Sequence, residues 1–121
     1  MTLKECYAAL EGDYESAVGR LPSEKFVQKF VLKFLADGSY DLLVRSMAEE
    51  DYAEAFRAAH TIKGVCQNLD FTKLYHSSSE LSEALRSGFS PEAPALVERV
   101  KADYEQTVAA IREFQASVEG T

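Results

Sequence analysis

The sequence predicts an all-α fold, an antiparallel four-helix bundle with short additional helices at its N-terminus. Apolar residues recur at spacings of three and four over four long segments, residues 23–36, 51–68, 71–87 and 91–118. Glycine, proline, serine and aspartate residues separate these segments. Because each segment has one apolar stripe to bury, an antiparallel bundle of the four is the simplest arrangement.

Two short helices are predicted ahead of the bundle, within residues 2–21. Thr2 and Glu5 fit a capping box at the start of the first helix, and Gly12 ends that helix. Asp13 can start the second. The bundle itself is therefore expected to begin near residue 23 and to extend to about residue 118.

The next segment is predicted to be amphipathic. Ser23 caps it, Gly38 ends it, and lysines occupy its polar side. Its apolar face is expected to contain Phe26, Val27, Phe30, Val31, Phe34 and Leu35. A short helix is predicted from Ser39 to Met47, before the acidic turn that ends at Asp51.

Asp51 and Glu54 resemble a capping box at the start of the next helix, which carries two parallel lines of residues. The first line is apolar, is predicted to face the core, and consists of Tyr52, Ala55, Ala59, Ile62, Cys66 and Leu69. The second line holds no large apolar residue and consists of Arg57, His60, Gly64 and Gln67, with Lys63 beside it. A lysine is almost never fully buried, and a glycine inside a helix costs ~1 kcal/mol relative to alanine. Periodicity alone leaves open that His60 is a half-buried residue at the core edge and Lys63 merely solvated.

Two further helices complete the pattern. Asp70 is predicted to cap the segment 71–87, and Ser90-Pro91-Glu92 to start the last helix. The inward face of segment 71–87 is expected to comprise Leu74, Ser78, Leu81 and Leu85, flanked by Tyr75, Ser79 and Ser82. On its surface, His76 and Glu80 are expected to form an exposed pair. In the last helix, the apolar stripe is predicted to consist of Val97, Val100, Tyr104, Thr107, Ile111, Phe114 and Val118.

Composition and charge argue against several classes of protein. Thirteen basic and twenty acidic side chains give a net charge of -7, which opposes nonspecific binding to nucleic acid or to an anionic membrane surface. Cys6 and Cys66 have no CxxC or Cys/His spacing, so they are expected to be reduced thiols packed in the core. No signal-peptide h-region and no apolar run of ~18 residues is found. A single domain, residues 1–121, in the cytoplasm is expected.

The stretch from Ala58 to Gly64, AAHTIKG, followed by Leu69, resembles the histidine-containing phosphotransfer (Hpt) domain of two-component relays and chemotaxis kinases. That family has a helix bearing AHxLKG, then small residues, then LG, then a helix with a leucine-rich inner face. Gly12-Asp13, the Phe-rich helix and the acidic turn before Tyr52 also fall where similar features fall in the family. The resemblance covers about residues 10–90.

The chain departs from the family pattern at three places. Asp70 replaces the usual glycine after Leu69, and Ser82 stands where an acidic residue is often found. The small residues after Gly64 are replaced in part by Cys66, Gln67 and Asn68. None of these changes removes the motif, and Asp70 can serve as a cap.

The resemblance implies a role for each motif residue. His60 would be the phosphoacceptor, since an imidazole is largely neutral near pH 7 and can attack phosphorus without a separate base. Lys63, one turn further, would neutralise phosphoryl oxygens. Gly64 would leave room for the phosphoryl group and an incoming partner. Arg57 and Gln67 would belong to the docking surface, with an apolar contribution from the first helices.

A serine on the following helix is expected to orient the imidazole, with Ser82 slightly favoured over Ser78 and Ser79. The chain has no nucleotide-binding motif, so its phosphoryl group must come from another protein. The resemblance implies a sensor histidine kinase and the receiver domain of a response regulator as partners, and a monomeric state. No cofactor is expected in this chain, because Mg²⁺ would belong to the receiver domain.

Two other functions are weighed against this one. The first is a noncatalytic adaptor that uses the same bundle only to bind partners. The second is a metal or haem bundle, but the paired GluxxHis ligands of di-iron bundles are absent, because Arg57 precedes His60 and Lys73 precedes His76 by three residues. Met1 and the capped first helix favour a freestanding protein over a domain of a longer kinase.

Overall fold

The computed structural model describes residues 1–119, and within that range it confirms the all-helical prediction. The seven α-helices are α1 (Leu3–Leu10), α2 (Tyr14–Arg20), α3 (Glu24–Lys33), α4 (Ser39–Ala48), α5 (Tyr52–Leu69), α6 (Thr72–Leu85) and α7 (Ala93–Glu119). A 3-10 turn, Phe34–Ala36, follows α3. The predicted caps at Thr2, Asp13, Ser23 and Asp51 are all present, each accepting a hydrogen bond from a backbone N–H three residues later.

Helices α4 to α7 form the four-helix bundle. Helix α4 packs along α5, α5 along α6, and α6 along α7. Tyr40 of α4 stacks on Tyr104 of α7, with ring centroids 4.0 Å apart and planes 9° apart, which joins the first and last bundle helices.

The structure corrects the prediction of which helices form the bundle. Segment 23–36 was expected to be one of the four, but the shorter α4 takes that place and α3 makes only limited contact with α5 and α7. The reason is connection length. Three residues join α4 to α5, which forces the two helices to lie antiparallel side by side.

The α1–α2 corner interlocks with the α5–α6 corner. Glu11 and Asp70 end α1 and α5 in the left-handed conformation, with φ of 60° and 57°. Each corner receives a backbone hydrogen bond from the other, because the Asp13 N–H donates to the Asp70 carbonyl at 2.8 Å and the Lys73 N–H donates to the Glu11 carbonyl at 3.2 Å. This contact requires Gly12, where a Cβ would lie 2.6 Å from the Asp70 carbonyl oxygen.

Asp70 therefore caps the end of α5, not the start of α6 as predicted. Phe71 occupies the N-cap position of α6 and makes no side-chain capping bond. The left-handed conformation explains why glycine is usual here, and aspartate tolerates it better than most residues. Arg20 and Ser16 hold the Asp70 carboxylate, with hydrogen bonds of 2.5 and 3.1 Å.

The two N-terminal helices also close the C-terminal end of α5. The buried Tyr7 hydroxyl donates to the Leu69 carbonyl at 2.7 Å. The Arg20 guanidinium donates to the carbonyls of Gln67 and Asn68 at 2.8 and 3.1 Å. These bonds satisfy carbonyls that have no partner within the helix, so α1 and α2 brace the helix that carries the motif.

The core contains most of the predicted apolar positions. On α5 the whole predicted line is buried except Tyr52, which is half-buried. Cys6 and Cys66 are fully buried as free thiols, and loss of solvation raises the pKa of Cys6 to about 11, which suits packing rather than reactivity. Two predictions need correction: Val118 is exposed, and Ser82 lies on the buried face of α6 together with Ser77 and Ser78.

Candidate functional site

His60 lies near the middle of α5 with its side chain exposed. Its neighbours Ala59 and Ile62 are buried and anchor the opposite side of the helix in the core. The second line of residues on α5 therefore lies away from the core, and the exposure of His60 decides against a half-buried histidine at the core edge. Arg57 and Gln67 are exposed, and Lys63 and Gly64 are half-buried.

Open space lies beside Gly64. A Cβ built on this residue would meet no atom within 4 Å outside the helix's own backbone. Packing within the chain therefore gives no reason for glycine at this position, unlike at Gly12, where the same atom would collide with three others. The helix-propensity cost of Gly64 is instead compatible with a need for space outside the molecule.

Lys63 lies in the electrostatic neighbourhood of Glu83 on α6. The pKa of Glu83 is lowered, first by its hydrogen bond with Arg86 and by the Arg86 charge, and to a lesser degree by the charge of Lys63. Arg86 donates to Glu83 at 2.6 and 3.4 Å. Lys63 of α5, Glu83 of α6 and Arg86, the C-cap residue of α6, thus form a group of charges where the two helices adjoin.

The structure does not support the predicted orienting role of Ser82. This residue is 1% exposed and its hydroxyl has no hydrogen-bond partner, so it does not bond to the imidazole. The ring of His60 instead stacks on Phe56, with centroids 5.8 Å apart and planes 22° apart. Sequence reasoning missed Phe56, although its position four residues before His60 was a usable signal.

The two predicted docking residues are exposed on α5, on either side of His60 along the helix. Arg57 forms an ion pair with Glu54 and its carbonyl accepts a hydrogen bond from the Thr61 hydroxyl at 2.9 Å. The Gln67 side chain faces solvent, and the backbone carbonyl of Gln67 accepts a hydrogen bond from the Arg20 guanidinium. Both side chains are available to a partner that approaches His60.

His76, the other histidine, is exposed on α6 beside Tyr75. Its expected pairing with Glu80 is wrong, because Glu80 accepts a hydrogen bond of 2.6 Å from Arg99 of α7. His76 has neither a lysine nor a glycine in the positions that Lys63 and Gly64 hold relative to His60. The two histidines are therefore similarly exposed but differ in their surroundings.

Comparison with protein-family models decides the family. Residues 32–110, more than half of the chain, match the model of the Hpt domain. The chain belongs to the Hpt domain family. The match contains α4, α5, α6 and most of α7, which the resemblance over residues 10–90 did not reach, and it does not include residues 10–31, which that resemblance did include. No curated protein and no solved structure matches the chain significantly.

Family membership implies histidine-containing phosphotransfer in two-component signalling, in which Hpt domains interact with kinases and receiver domains. Over residues 1–119, no helix is both long and apolar enough to cross a bilayer. In the same range, no three His, Cys, Asp or Glu side chains form a group suited to a metal ion.

An apolar groove of about 450 Å³ adjoins the motif on this Hpt domain. Its apolar lining consists of Leu21, Phe26, Phe30, Phe34, Val65 and Leu69, and Arg20 and Lys33 are among its polar residues. Phe26 is 37% exposed, so the prediction that it faces the core is wrong, whereas Phe30 is half-buried and packs against the core while also lining the groove. The apolar stripe of α3 is wider than the core can cover, because α3 is not a bundle helix.

Proposed function

We propose that this Hpt domain is a phosphorelay intermediate that carries a phosphoryl group on His60. It accepts the group from a histidine kinase or from the phosphoaspartate of a receiver domain. It then donates the group to the receiver domain of a response regulator. The observation that carries the proposal is the exposed imidazole in the middle of α5, with Lys63 one turn further and open space beside Gly64.

The transfer step needs little from the chain itself. The lone pair of the unprotonated ring nitrogen attacks phosphorus, the N–P bond forms, and the bond from phosphorus to the donor oxygen or nitrogen breaks, with the electron pair leaving on the donor. Passing the group to an aspartate reverses these events. Lys63 stabilises the charge on the phosphoryl oxygens. Mg²⁺ is proposed to come with the receiver domain.

The charge distribution supports docking of an acidic partner site. Helices α3 and α5 together carry five basic and two acidic side chains, whereas the whole chain has thirteen basic and twenty acidic ones. A receiver domain presents the carboxylates that bind Mg²⁺ and accept the phosphoryl group. The net positive charge of these two helices favours encounter with such a site, and the effect is expected to weaken with salt.

The groove supplies the apolar part of the proposed docking surface. Asn68 lies one turn beyond Gly64 on the same face of α5 and lines the groove together with Phe26 and Phe30, so a partner that covers Gly64 and extends along α5 reaches the groove. Arg57 and Gln67 extend this surface along α5. Burial of exposed apolar area is the usual source of affinity at such a patch, and polar residues around it give orientation.

Gly64→Ala is expected to separate stability from transfer. Alanine should raise the free energy of unfolding by up to ~1 kcal/mol, because the helix interior favours it and no atom obstructs the added Cβ. Transfer from a phosphorylated receiver domain should slow on the order of tenfold, because the partner can no longer approach as closely. Labelling by phosphoramidate, a small donor, should fall much less. An unchanged rate from the receiver domain would contradict the role given to Gly64.

Phe26→Ser is expected to weaken receiver binding while leaving the reactive histidine intact. Removing an apolar anchor from an interface typically costs 1–2 kcal/mol, so the dissociation constant should rise about tenfold in a titration. Phosphoramidate labelling of His60 should be unchanged. Phe89→Ser is the matched control, because Phe89 is 60% exposed and packs on Tyr52 at the far end of α5. Equal binding by the two variants would argue against docking in the groove.

A further inference from the structure

The imidazole of His60 makes no hydrogen bond to any part of the chain that the structure describes. Ser82, which was expected to orient it, is buried in the core with its hydroxyl unpaired. The His60 ring is in contact with Phe56 instead, in an offset stack. We propose that Phe56 is the positioning residue of His60, setting the plane of the imidazole and leaving both ring nitrogens free. This inference rests on the proposed function, in which His60 carries the phosphoryl group.

Helix geometry explains why Phe56 is suited to this role. Side chains on an α-helix lean toward its N-terminus and onto the residue one turn earlier. The His60 ring therefore leans toward Phe56, four residues before it, and away from Gly64, four residues after it. The stack keeps the imidazole clear of the open space beside Gly64, so that space remains available to the phosphoryl group.

Phe56 is itself held by the neighbouring helix. Its ring is half-buried against the core, and the Arg86 guanidinium carbon lies 5.3 Å from the ring centroid. Arg86 is in turn held by two hydrogen bonds to Glu83, one turn earlier on α6. A series of contacts thus runs from α6 through Phe56 to the imidazole, where a hydrogen bond from Ser82 was expected.

The experiment compares Phe56→Leu, Phe56→Tyr and the wild-type protein, with Phe89→Leu as control. Two quantities are measured on each: the NMR chemical shifts of the His60 ring protons, and the rate at which phosphoramidate phosphorylates His60. Leucine removes the ring but keeps apolar bulk, so the ring-current shift of His60 should disappear and the rate should fall between about twofold and tenfold. Tyrosine should retain both, and Phe89→Leu should change neither.

Three results would overturn the proposal. The rate for Phe56→Leu could equal that of the wild type, the rate could fall without a change in the His60 shifts, or the wild-type protein could show no cross-relaxation between the Phe56 and His60 ring protons. The last measurement needs no variant, so it stands even where Phe56→Leu fails to fold. If wild-type His60 is not phosphorylated at all, the proposed function fails, whereas the NMR measurements still test the stack.

Discussion

His60→Gln is expected to abolish acid-labile phosphorylation of this Hpt domain. Glutamine keeps a polar side chain of similar reach on the exposed side of α5 but has no nucleophilic nitrogen, so no N–P bond can form. Incubation with a phosphorylated receiver domain or with phosphoramidate, followed by Phos-tag electrophoresis or radiolabel detection, gives the measurement. The unfolding free energy should change by less than about 0.5 kcal/mol, because the position is exposed.

His76→Gln is the matched control for that experiment. His76 is also exposed, on the adjacent helix α6, but lacks the lysine and glycine that follow His60. Labelling of His76→Gln should equal that of the wild type. If no donor places an acid-labile phosphate on His60, the relay function is wrong, and retained binding to receiver domains would then favour the noncatalytic adaptor.

Gly12→Ala is expected to have the largest effect on stability. The added Cβ would lie 2.6 Å from the Asp70 carbonyl oxygen, 2.8 Å from Leu10 Cδ1 and 2.9 Å from Tyr7 Cδ2. The backbone oxygen cannot move without breaking its hydrogen bond to the Asp13 N–H, which joins the two corners. We expect the free energy of unfolding to fall by about 2–3 kcal/mol in urea titrations.

Gly19→Ala provides the comparison for Gly12. Gly19 lies within α2, and a Cβ there would meet no atom within 4 Å, so alanine should be neutral or stabilising by up to ~1 kcal/mol. The difference in unfolding free energy between the two variants separates the effect of close backbone approach from the effect of helix propensity. A Gly12→Ala protein as stable as the wild type would show that the corners can separate without cost.

Local periodicity was sufficient to predict which residues of α5 face the core. Residues three or four apart on a helix share a face. Because Ala55 to Leu69 form one such apolar line, His60 and Gly64, which do not belong to it, lie on another face. Caps were predictable for the same reason, because Thr2 and Asp51 act on the turn that directly follows them. These features depend on residues within one or two helical turns of one another.

Features that depend on how helices meet were not predictable. Ser82 has a spacing that allows it to flank the inward face of α6, but the packing of α5 and α7 against α6 buries it. In the sequence Asp70 fits the N-cap of α6. In the structure it ends α5 in the left-handed conformation, and its carbonyl accepts a hydrogen bond from the α1–α2 corner. Phe26 matches a core pattern and becomes a groove residue because α4 replaces α3 in the bundle.

The sequence by itself therefore determined the helices, the caps at Thr2, Asp13, Ser23 and Asp51, the line of residues on α5 that contains His60, and through its motif the family. Tertiary structure alone decided which four helices form the bundle, that Ser82 is buried, and that an apolar groove adjoins the motif on α5. The physical reason is the range of the interactions. Helix periodicity, capping and the contact of Phe56 with His60 one turn later are local to one segment, whereas burial and close approach between helices depend on neighbours that only the fold brings together.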